Sequence, residues 1–428
     1  MIANKKNKEK RVPELRFGEF EGDWKFITLD DMFTFKNGLN ASKEMYGRGT
    51  KFINVLDIIN NDFITHDKII GSVEVSDKEL EKNEVVYGDI LFQRSSETRE
   101  EVGQANVYLD KSKSCVFGGF VIRGHRKMEY DPMFMNFLLK TQHARKEITT
   151  KSGGSTRYNV GQDSLREVMI YTTSLPEQKK IATFLSTIDQ KIQQLIRKKE
   201  LLESYKKGLM QQLFSGELRF KPDRTPSEAE GKGKEYPDWT RGRFSKFIKL
   251  YRGSSPRPII KFVTTNEDGV NWIKIGDTKQ SENFRINSVS EKITKEGSLK
   301  SRFVERGEII LANSMSFGKS YLLEIEGCIY DGWFVLREYE KSFNREFLLQ
   351  LLNSEFLQRQ YLRLSTGGVV QNISSQIVYS TLLFCPVIEE QQKLANCLSS
   401  MDAKIISIDT QITKTQTFKR GLLQKMFV

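Results

Sequence analysis

The chain has 428 residues, which is enough for about two to four domains that each bury a core of their own. It carries 67 Lys and Arg against 55 Asp and Glu, a net charge of +12, which favours nucleic acid as a ligand over an acidic membrane or protein. Four cysteines without a C-x-x-C spacing indicate reduced thiols in a cytoplasmic protein and exclude a disulfide framework. No long apolar run occurs, so neither a membrane span nor a signal peptide is expected.

The first large segment, residues 24–175, follows a charged N-terminal segment at residues 1–23. It contains short runs typical of β-strands, such as 51–55, 89–92 and 120–122, which Gly, Asn, Asp and Ser separate. A helical stretch is expected late in this segment, near Pro132–Lys146. The pattern predicts a mixed α/β globule with a curved sheet.

Residues 176–214 carry apolar side chains at heptad spacing, which predicts a long helix with a coiled-coil seam. The seam includes Ile181, Leu185, Ile188, Ile192 and Leu195. Lys199 and Lys206 interrupt it, and we interpret these interruptions as a sign that the groove also accepts the helices of another protein. A Pro-, Gly- and charge-rich linker at residues 215–238 follows the helix.

The second half of the chain repeats the first at a constant offset of 213 residues. The sequence from Pro176 to Ile192 returns from Glu389 to Ile405, and the register continues to the C-terminal Phe427. Residues 239–388 repeat the strand-rich pattern, and residues 389–428 repeat the helix. The second helix has its own seam residues: Leu394, Leu398, Met401, Ile405 and Ile408. Two similar halves predict a pseudo-twofold arrangement suited to a ligand that also has two halves.

The sequence lacks the motifs of a DNA-modifying enzyme. No two prolines are adjacent, which excludes the Asn/Asp-Pro-Pro-aromatic motif of amino-methyltransferases. The stretch Asn313–Ser320 resembles a phosphate loop but has Asn in place of the first Gly, and the nuclease-like acidic residues near Pro222 and Glu230 lie in the linker. The three histidines are not clustered, so no metal site is expected. These observations predict a non-catalytic chain.

Basic, hydroxyl and amide side chains lie in Gly- or Ser-flanked loops at matching places in both halves. Arg and Lys read guanine, Asn and Gln read adenine, and hydroxyl groups hold phosphates. The candidate DNA-binding residues are Lys36, Asn37, Arg94, Ser95, Arg99, Arg157, Tyr158, Asn159, Arg252, Ser254, Arg257, Asn313, Lys319, Gln371 and Asn372. Because the loops correspond and their side chains differ, the pattern predicts two recognition modules for different sequences.

Taken together, the chain resembles the specificity (S) subunit of type I restriction–modification systems. The resemblance rests on Pro176–Ala182 and Glu390–Ala395, on Gly208–Phe214, and on the Gly-Asp/Glu-Ile elements at Gly88 and Gly307. It implies an α/β (α+β) fold in which two target-recognition domains (24–175 and 239–388) alternate with a central (176–214) and a distal (389–428) conserved helical region. The two helices would pair as an antiparallel coiled coil and fix the distance between the domains.

The resemblance also implies partners and cofactors. The chain would read a bipartite double-stranded DNA target, and its helices would bind two modification subunits, which carry S-adenosylmethionine and methylate adenine. Restriction subunits, with ATP and magnesium, would join that core, and this chain would hold no cofactor itself. Two alternatives remain open: a nuclease that uses this architecture within its own polypeptide, and a non-enzymatic two-domain scaffold that binds protein or RNA.

Overall fold

Mixed sheets and short helices form two units, and each unit contains a segment of both long helices. The computed structural model describes residues 12–223, 235–281, 283–314, 318–364 and 372–428. Unit 1 comprises Met1–Leu195 and Thr410–Val428, and unit 2 comprises Ile196–Asp409.

Unit 1 is built from short strands and helices that lead into the first long helix. Its strands are β1 (Lys25–Thr28), β2 (Phe33–Asn37), β3 (Tyr46–Ile53), β4 (Ser72–Val73), β5 (Ile90–Gln93), β6 (Ser95–Ser96), β7 (Ala105–Val107), β8 (Val116–Phe117), β9 (Val121–Arg126), β10 (Tyr158–Asn159) and β11 (Met169–Thr172). Its helices are α1 (Leu29–Met32), α2 (Val55–Ile59), α3 (Asp77–Asn83), α4 (Pro132–Leu138), α5 (Gln142–Thr150), α6 (Gln162–Arg166) and α7 (Leu175–Ser215), which continues into unit 2.

Unit 2 follows the same plan. Its strands are β12 (Thr240–Arg243), β13 (Lys249–Arg252), β14 (Val263–Thr264), β15 (Val270–Ile273), β16 (Arg285–Ile286), β17 (Glu291–Ile293), β18 (Arg302–Val304), β19 (Ile309–Ala312), β20 (Ser320–Leu323), β21 (Gly327–Ile329), β22 (Trp333–Arg337) and β23 (Leu382–Cys385). Its helices are α8 (Phe244–Phe247), α9 (Lys295–Leu299), α10 (Arg345–Asn353), α11 (Glu355–Leu364), α12 (Ser375–Ser380) and α13 (Ile388–Lys425), which continues into unit 1.

The main sheet has the same strand order in both units. The order is β2-β9-β5-β7 in unit 1 and β13-β22-β19-β20 in unit 2, where β16 adds a parallel edge strand. A second sheet (β4-β3-β8, or β14-β17-β15-β21-β18) and a two-stranded ribbon (β1-β11, or β12-β23) accompany it. The prediction of two similar mixed α/β units with two long helices is confirmed.

The Gly-Asp/Glu-Ile elements begin the central strands of these sheets. Gly88 and Gly307 both have φ +92°, a conformation that favours glycine. The acidic residue that follows each glycine accepts a backbone N–H three residues upstream, at 3.0 Å for Asp89 and 2.8 Å for Glu308. These elements therefore form a repeated turn that starts the strand.

An aromatic residue at the C-terminal end of each long helix packs into the core of one unit. In unit 1 the Phe427 ring lies 6.0 Å from Trp24 and 5.3 Å from Phe134, measured between ring centroids. In unit 2 the equivalent residue, Phe214, lies 5.7 Å from Phe347. All five of these aromatic residues are more than nine-tenths buried, so the C-terminal ends of both helices belong to the hydrophobic core.

Glutamines on the long helices fix the start of a packed helix in each unit. Gln178 accepts the backbone N–H of Asp131, which caps α4, at 2.9 Å, and Gln391 accepts the N–H of Asn344, which caps α10, at 2.7 Å. Both glutamines are buried. Because buried polar groups must be hydrogen-bonded, the repeated Gln marks a structural contact.

An arginine–glutamate clasp closes each unit at the start of a long helix. Arg16 Nε lies 2.8 Å from Glu177 Oε1 in unit 1, and Arg219 Nη2 lies 2.8 Å from Glu390 Oε2 in unit 2. The two carboxylates are 1% and 0% exposed. The repeated Glu-Leu-Arg-Phe sequences therefore carry these two clasps.

The residue before each clasp arginine also hydrogen-bonds the C-terminal end of a long helix. This helix is α13 in unit 1 and α7 in unit 2, whereas the clasp glutamate lies at the start of the other one. Leu15 N–H donates to the Lys425 carbonyl at 2.8 Å, and Leu218 N–H donates to the Gln212 carbonyl at 3.0 Å. These bonds satisfy carbonyls that a helix C-terminus leaves free. In unit 2 the segment that contains Leu218 follows α7 directly in sequence. In unit 1 the segment that contains Leu15 is some 400 residues away in sequence from Lys425, whose carbonyl it contacts.

The long helices run antiparallel within each unit. In unit 1, Lys419 Nζ lies 2.5 Å from Asp189 Oδ1, and in unit 2, Lys206 Nζ lies 2.5 Å from Asp402 Oδ1. Ion pairing also joins Lys199 to the other helix, within unit 2. The seam lysines are thus paired within the chain, which corrects our interpretation that they leave the groove for another protein. Such pairs are better at fixing helix register than at adding stability.

Candidate nucleic-acid interface

In unit 1 the ends of three adjacent strands bring the candidate loops to one end of the main sheet. β2 and β5 both run antiparallel to β9, so the C-terminal ends of β2 and β5 lie beside the start of β9. The loops at this sheet end, residues 37–40, 94–99 and 118–120, together with residues 157–159, form what we call the unit 1 tip. Loops that follow strand ends on a rigid sheet are common positions for binding residues.

A short ribbon gathers several predicted residues at the unit 1 tip. β6 pairs with β10 so that Ser95 lies opposite Asn159, and the Ser95 hydroxyl donates to the Asn159 side-chain oxygen. The Arg94 guanidinium donates to the Gly119 carbonyl at 3.3 Å and is otherwise exposed. Residues some sixty positions apart in sequence are therefore adjacent, together with the half-buried Tyr158.

The other unit 1 candidates differ in their surroundings. Arg157 and Asn37 are exposed, and Arg99 is exposed while its Nε donates to the Thr149 carbonyl at 3.2 Å. Lys36 is half-buried, and its ammonium donates to the Lys82 carbonyl near the end of α3. Burial lowers the pKa of Lys36. Lys36 thus supports the end of α3, whereas the remaining residues keep exposed polar groups.

The equivalent sheet end of unit 2 is organised around an acidic residue, Asp331, in the turn between β21 and β22. Ser255 donates to its carboxylate, and Arg257 Nη2 lies 3.9 Å from Asp331 Oδ2. The Asp331 carbonyl accepts Arg252 Nε at 3.2 Å and Asn313 Nδ2 at 2.8 Å. We call residues 252–257, 313–314, 330–332 and 372 the unit 2 tip.

The charge of Asp331 is stabilised by its neighbours. The hydrogen bond from Ser255, which outweighs the effect of burial, lowers the pKa of this carboxyl group, and the nearby Arg257 and Arg252 lower it further. The ionised carboxylate attracts the Arg257 guanidinium at the tip, while the backbone carbonyl of the same residue holds Arg252. Nothing in the sequence pattern singled out Asp331, because an acidic residue in a turn is ordinary.

Other unit 2 candidates are partly structural. Asn313 is buried, and its backbone carbonyl accepts the Ile373 N–H at 2.7 Å. Ser254 is half-buried, and its backbone N–H donates to the Ile329 carbonyl at 3.1 Å. Burial lowers the pKa of Lys319, whose ammonium lies 5.8 Å from the centre of the Phe284 ring. Asn372 is exposed, and Gln371 lies outside the described residues.

The predicted subunit-binding residues of the helices face the interior of the chain. Most are buried, and Ile188 and Ile405 are half-buried. The fully or nearly buried set comprises Ile181, Leu185, Ile192, Leu195, Leu394, Leu398, Met401 and Ile408. A partner that docks on these helices would therefore contact their exposed side chains and not these seam residues.

Two aromatic residues are exposed at equivalent positions of the helices. Tyr205 on α7 is 63% exposed, and Phe418 on α13, 213 residues later, is 57% exposed. In unit 2 a trough of about 1340 Å³ lies between α7 and α11, and its lining includes Tyr205, Leu209 and Phe356. The heptad pattern marks the buried seam and not these two exposed residues, although the 213-residue offset relates them.

Two repeated α/β units with basic and amide-bearing sheet ends, joined by paired helices, define a class of DNA-binding protein with two recognition modules. The chain belongs to the family of type I restriction modification DNA specificity domains, whose model matches residues 21–204 and 238–415. It is thus a DNA-recognition component of a restriction–modification system, and the resemblance seen in the sequence is confirmed.

Comparisons with individual proteins agree with this assignment. The putative type I restriction enzyme MjaX specificity subunit of Methanocaldococcus jannaschii is 24% identical over 404 residues, 92% of this chain and 90% of that protein. The S subunit structure from M. genitalium aligns over 97% of this chain and 99% of its own, with TM-score 0.53 and 16% identity. A structure from work on complex assembly and conformational transition of the type I R-M system covers 94% and 97%, with TM-score 0.59 and 15% identity. These structures share the fold.

Within the part of the chain that the structure describes, no helix is both long and apolar enough to cross a membrane.

Proposed function

We propose that this chain selects the DNA target of a type I restriction–modification enzyme, with the unit 1 tip reading one half-site and the unit 2 tip reading the other. The observation that carries the proposal is that the same sheet end in both units presents loops of different chemistry. Arg94, Ser95 and Asn159 lie together in unit 1, whereas Asp331 organises Arg252 in unit 2. A shared scaffold with different loops suits two unlike half-sites.

The exposed arginines supply two kinds of contact. An arginine that pairs bidentately with guanine discriminates by about 1–3 kcal/mol, whereas a phosphate contact strengthens binding to every sequence. The net charge of +12 supports the second kind, which also positions the protein on the duplex. Loss of an arginine at a tip is therefore expected to weaken specific binding, general binding or both, and the salt dependence separates them.

Chimeric chains test the assignment of half-sites. We expect that replacing residues 24–175 with the same region of a relative changes one half-site of the methylated target, and that replacing residues 239–388 changes the other. The measurement is sequencing of methylated bases in cells that express each chimera with its modification subunit. Replacing only residues 224–234 of the linker, which keeps Leu218 and the Arg219–Glu390 clasp, is the control and should leave both half-sites unchanged. A single swap that alters both half-sites would contradict the proposal.

In this proposal the chain itself performs no chemistry. Two modification subunits would bring S-adenosylmethionine and the adenine-methylating site, and restriction subunits would bring ATP and magnesium. Incubating the purified chain with labelled S-adenosylmethionine and DNA, or with magnesium and DNA, tests this directly. Methyl transfer or cleavage by the chain alone would refute it.

The exposed helix faces are the proposed docking surfaces for the two modification subunits. Tyr205 and Phe418 are equivalent through the repeat, so two copies of one partner would meet the same kind of aromatic anchor. Exposed aromatic residues are enriched at such contact points. The duplication of this surface supports the proposed stoichiometry of two modification subunits.

Native mass spectrometry of the assembled complex tests this docking. Tyr205→Ser or Phe418→Ser alone is expected to lower the number of bound modification subunits from two to one, and the double variant should bind neither tightly. Lys198→Ser, an exposed change on α7, is the control. A double variant that still binds two copies would place the docking surface elsewhere.

A further inference from the structure

Phe120 at the unit 1 tip exposes its side chain on a firmly held turn. The ring is 66% exposed, although the neighbouring Phe117 and Val121 are fully buried. Three backbone hydrogen bonds fix the turn: Gly118 N–H to Ile53, Val121 N–H to Gly118, and Arg94 N–H to the Phe120 carbonyl, at 3.0, 2.8 and 2.9 Å. The ring is therefore presented to solvent by a backbone that is already ordered.

The turn is also held by close packing. A Cβ atom at Gly38 would lie 2.2 Å from the Gly118 backbone oxygen, so a glycine there lets the residue 37–40 loop pack directly against the backbone of this turn. A group held in place before binding loses little conformational entropy when a ligand arrives. Single exposed apolar residues are common on protein surfaces, so exposure alone assigns no role to Phe120. Its position among hydrogen-bonding tip residues is the feature that does.

The neighbours of Phe120 carry hydrogen-bonding groups of the kinds that can read base edges. Arg94 donates to Gly119, beside Phe120, and Ser95 and Asn159 are paired in the adjoining ribbon. In unit 2 the corresponding turn carries Asp331, with arginines around it. An aromatic hydrocarbon at this position is therefore a property of the unit 1 tip, where the chemistry of recognition is expected to differ from that of unit 2.

We propose that Phe120 contacts the C5-methyl group of a thymine in the half-site read by unit 1. Among the groups that base pairs present in the major groove, the thymine methyl is the apolar one, and Phe side chains contact it. A phenyl ring offers no donor or acceptor that could read the other base-edge groups. The inference rests on the proposed function, because it needs unit 1 to face DNA.

The test replaces each thymine of the target, one at a time, by deoxyuridine, which lacks only the C5-methyl group. Binding of the full chain, assembled with its modification subunits, is measured by fluorescence anisotropy on each duplex. We expect one uracil in the unit 1 half-site to weaken wild-type binding about fourfold, the effect of one buried methyl group. Phe120→Ala should bind the thymine and uracil duplexes equally, and Phe120→Leu should keep part of the preference.

A matched control is Met128→Ala, an exposed apolar residue beyond the opposite end of β9, which should keep the wild-type preference. The proposal is overturned if no uracil weakens wild-type binding, if Phe120→Ala keeps the same preference, or if the unit 1 half-site contains no A·T pair. Insertion of the ring between base pairs would overturn the proposal too. In that case Phe120→Ala would bind more weakly than wild type by the same factor on the thymine and the uracil duplexes. In each of these outcomes the half-site exchange by the chimeras can still succeed, so failure of this inference is distinct from failure of the proposed function.

Discussion

Replacing Asp331 by Asn removes one negative charge from the unit 2 tip and keeps its shape. The amide oxygen of Asn can still accept the Ser255 hydroxyl, and the backbone carbonyl that holds Arg252 and Asn313 is untouched. The pKa of Asp331 is lowered, so the wild-type group is ionised at neutral pH. The pair with Arg257 is 84% and 39% exposed, so its loss should change folding stability by less than about 1 kcal/mol.

The expected effect is on DNA binding. Without the carboxylate, the adjacent arginines contribute about one more positive charge to phosphate contacts. Each phosphate neutralised adds about 0.9 to the slope of log K against log salt, so the variant should lose about 3.5-fold more affinity than wild type between 50 and 200 mM salt. Binding to unrelated duplexes should gain most at low salt, and the ratio of specific to non-specific affinity should fall.

The assay is anisotropy titration of target and scrambled duplexes at several salt concentrations. Asp268→Asn is the matched control: it makes the same charge change in unit 2, at an exposed residue 3.1 Å from Lys295 and before β15. An unchanged slope of log K against log salt for Asp331→Asn, or the same increase in the control, would refute the reasoning that Asp331 reduces the positive charge of the unit 2 tip.

Two further predictions concern stability. Arg16→Met should destabilise the chain by about 3 kcal/mol, because it leaves the buried Glu177 without its charged partner. Burial disfavours the charged carboxylate, but hydrogen bonds from Arg16 and Thr173 outweigh it and lower the pKa of Glu177 below its ordinary value near 4.5. The stabilisation is therefore fully present above pH 4.5 and is lost as the pH falls through the lowered pKa of Glu177, so urea titrations should show the difference from wild type shrinking below pH 4.5. Leu398→Ala should cost about 2–5 kcal/mol, since the side chain is fully buried, and thermal melting with Ser399→Ala as control checks this.

The sequence predicted the scaffold well, because repetition and heptad spacing are visible in one dimension. Ile181 and Leu394 occupy the same heptad position in the two helices, and both are buried as an apolar seam position predicts. The partners of Lys206 and Lys419 were not predictable in the same way. Helix pairing brings Asp402 close to Lys206 and Asp189 close to Lys419, although these residues are nearly 200 and 230 positions apart in sequence. No local sequence pattern predicts contacts between residues so far apart.

The candidate site was predicted in outline, and its centre was missed. Loop composition pointed to Arg94 and Asn159, which the β6–β10 ribbon brings together. Phe120 and Asp331 were missed because their significance comes from exposure and from neighbours that strand register supplies. Asn313 shows the converse: its amide suggested base reading, but the side chain is buried and donates to the Asp331 backbone carbonyl.

The two clasps make the same contacts but are tethered differently. In unit 2, Leu218 follows α7 by only a few residues, so a broken clasp stays at high effective concentration and closes again quickly. In unit 1, Leu15 is far in sequence from Lys425 and is tethered to the rest of the unit through β1, which begins ten residues later at Lys25, so a broken clasp there closes again more slowly. Amide hydrogens near Leu15 should therefore exchange with solvent sooner than those near Leu218, so that a duplicated structure has one preferred place from which local unfolding begins.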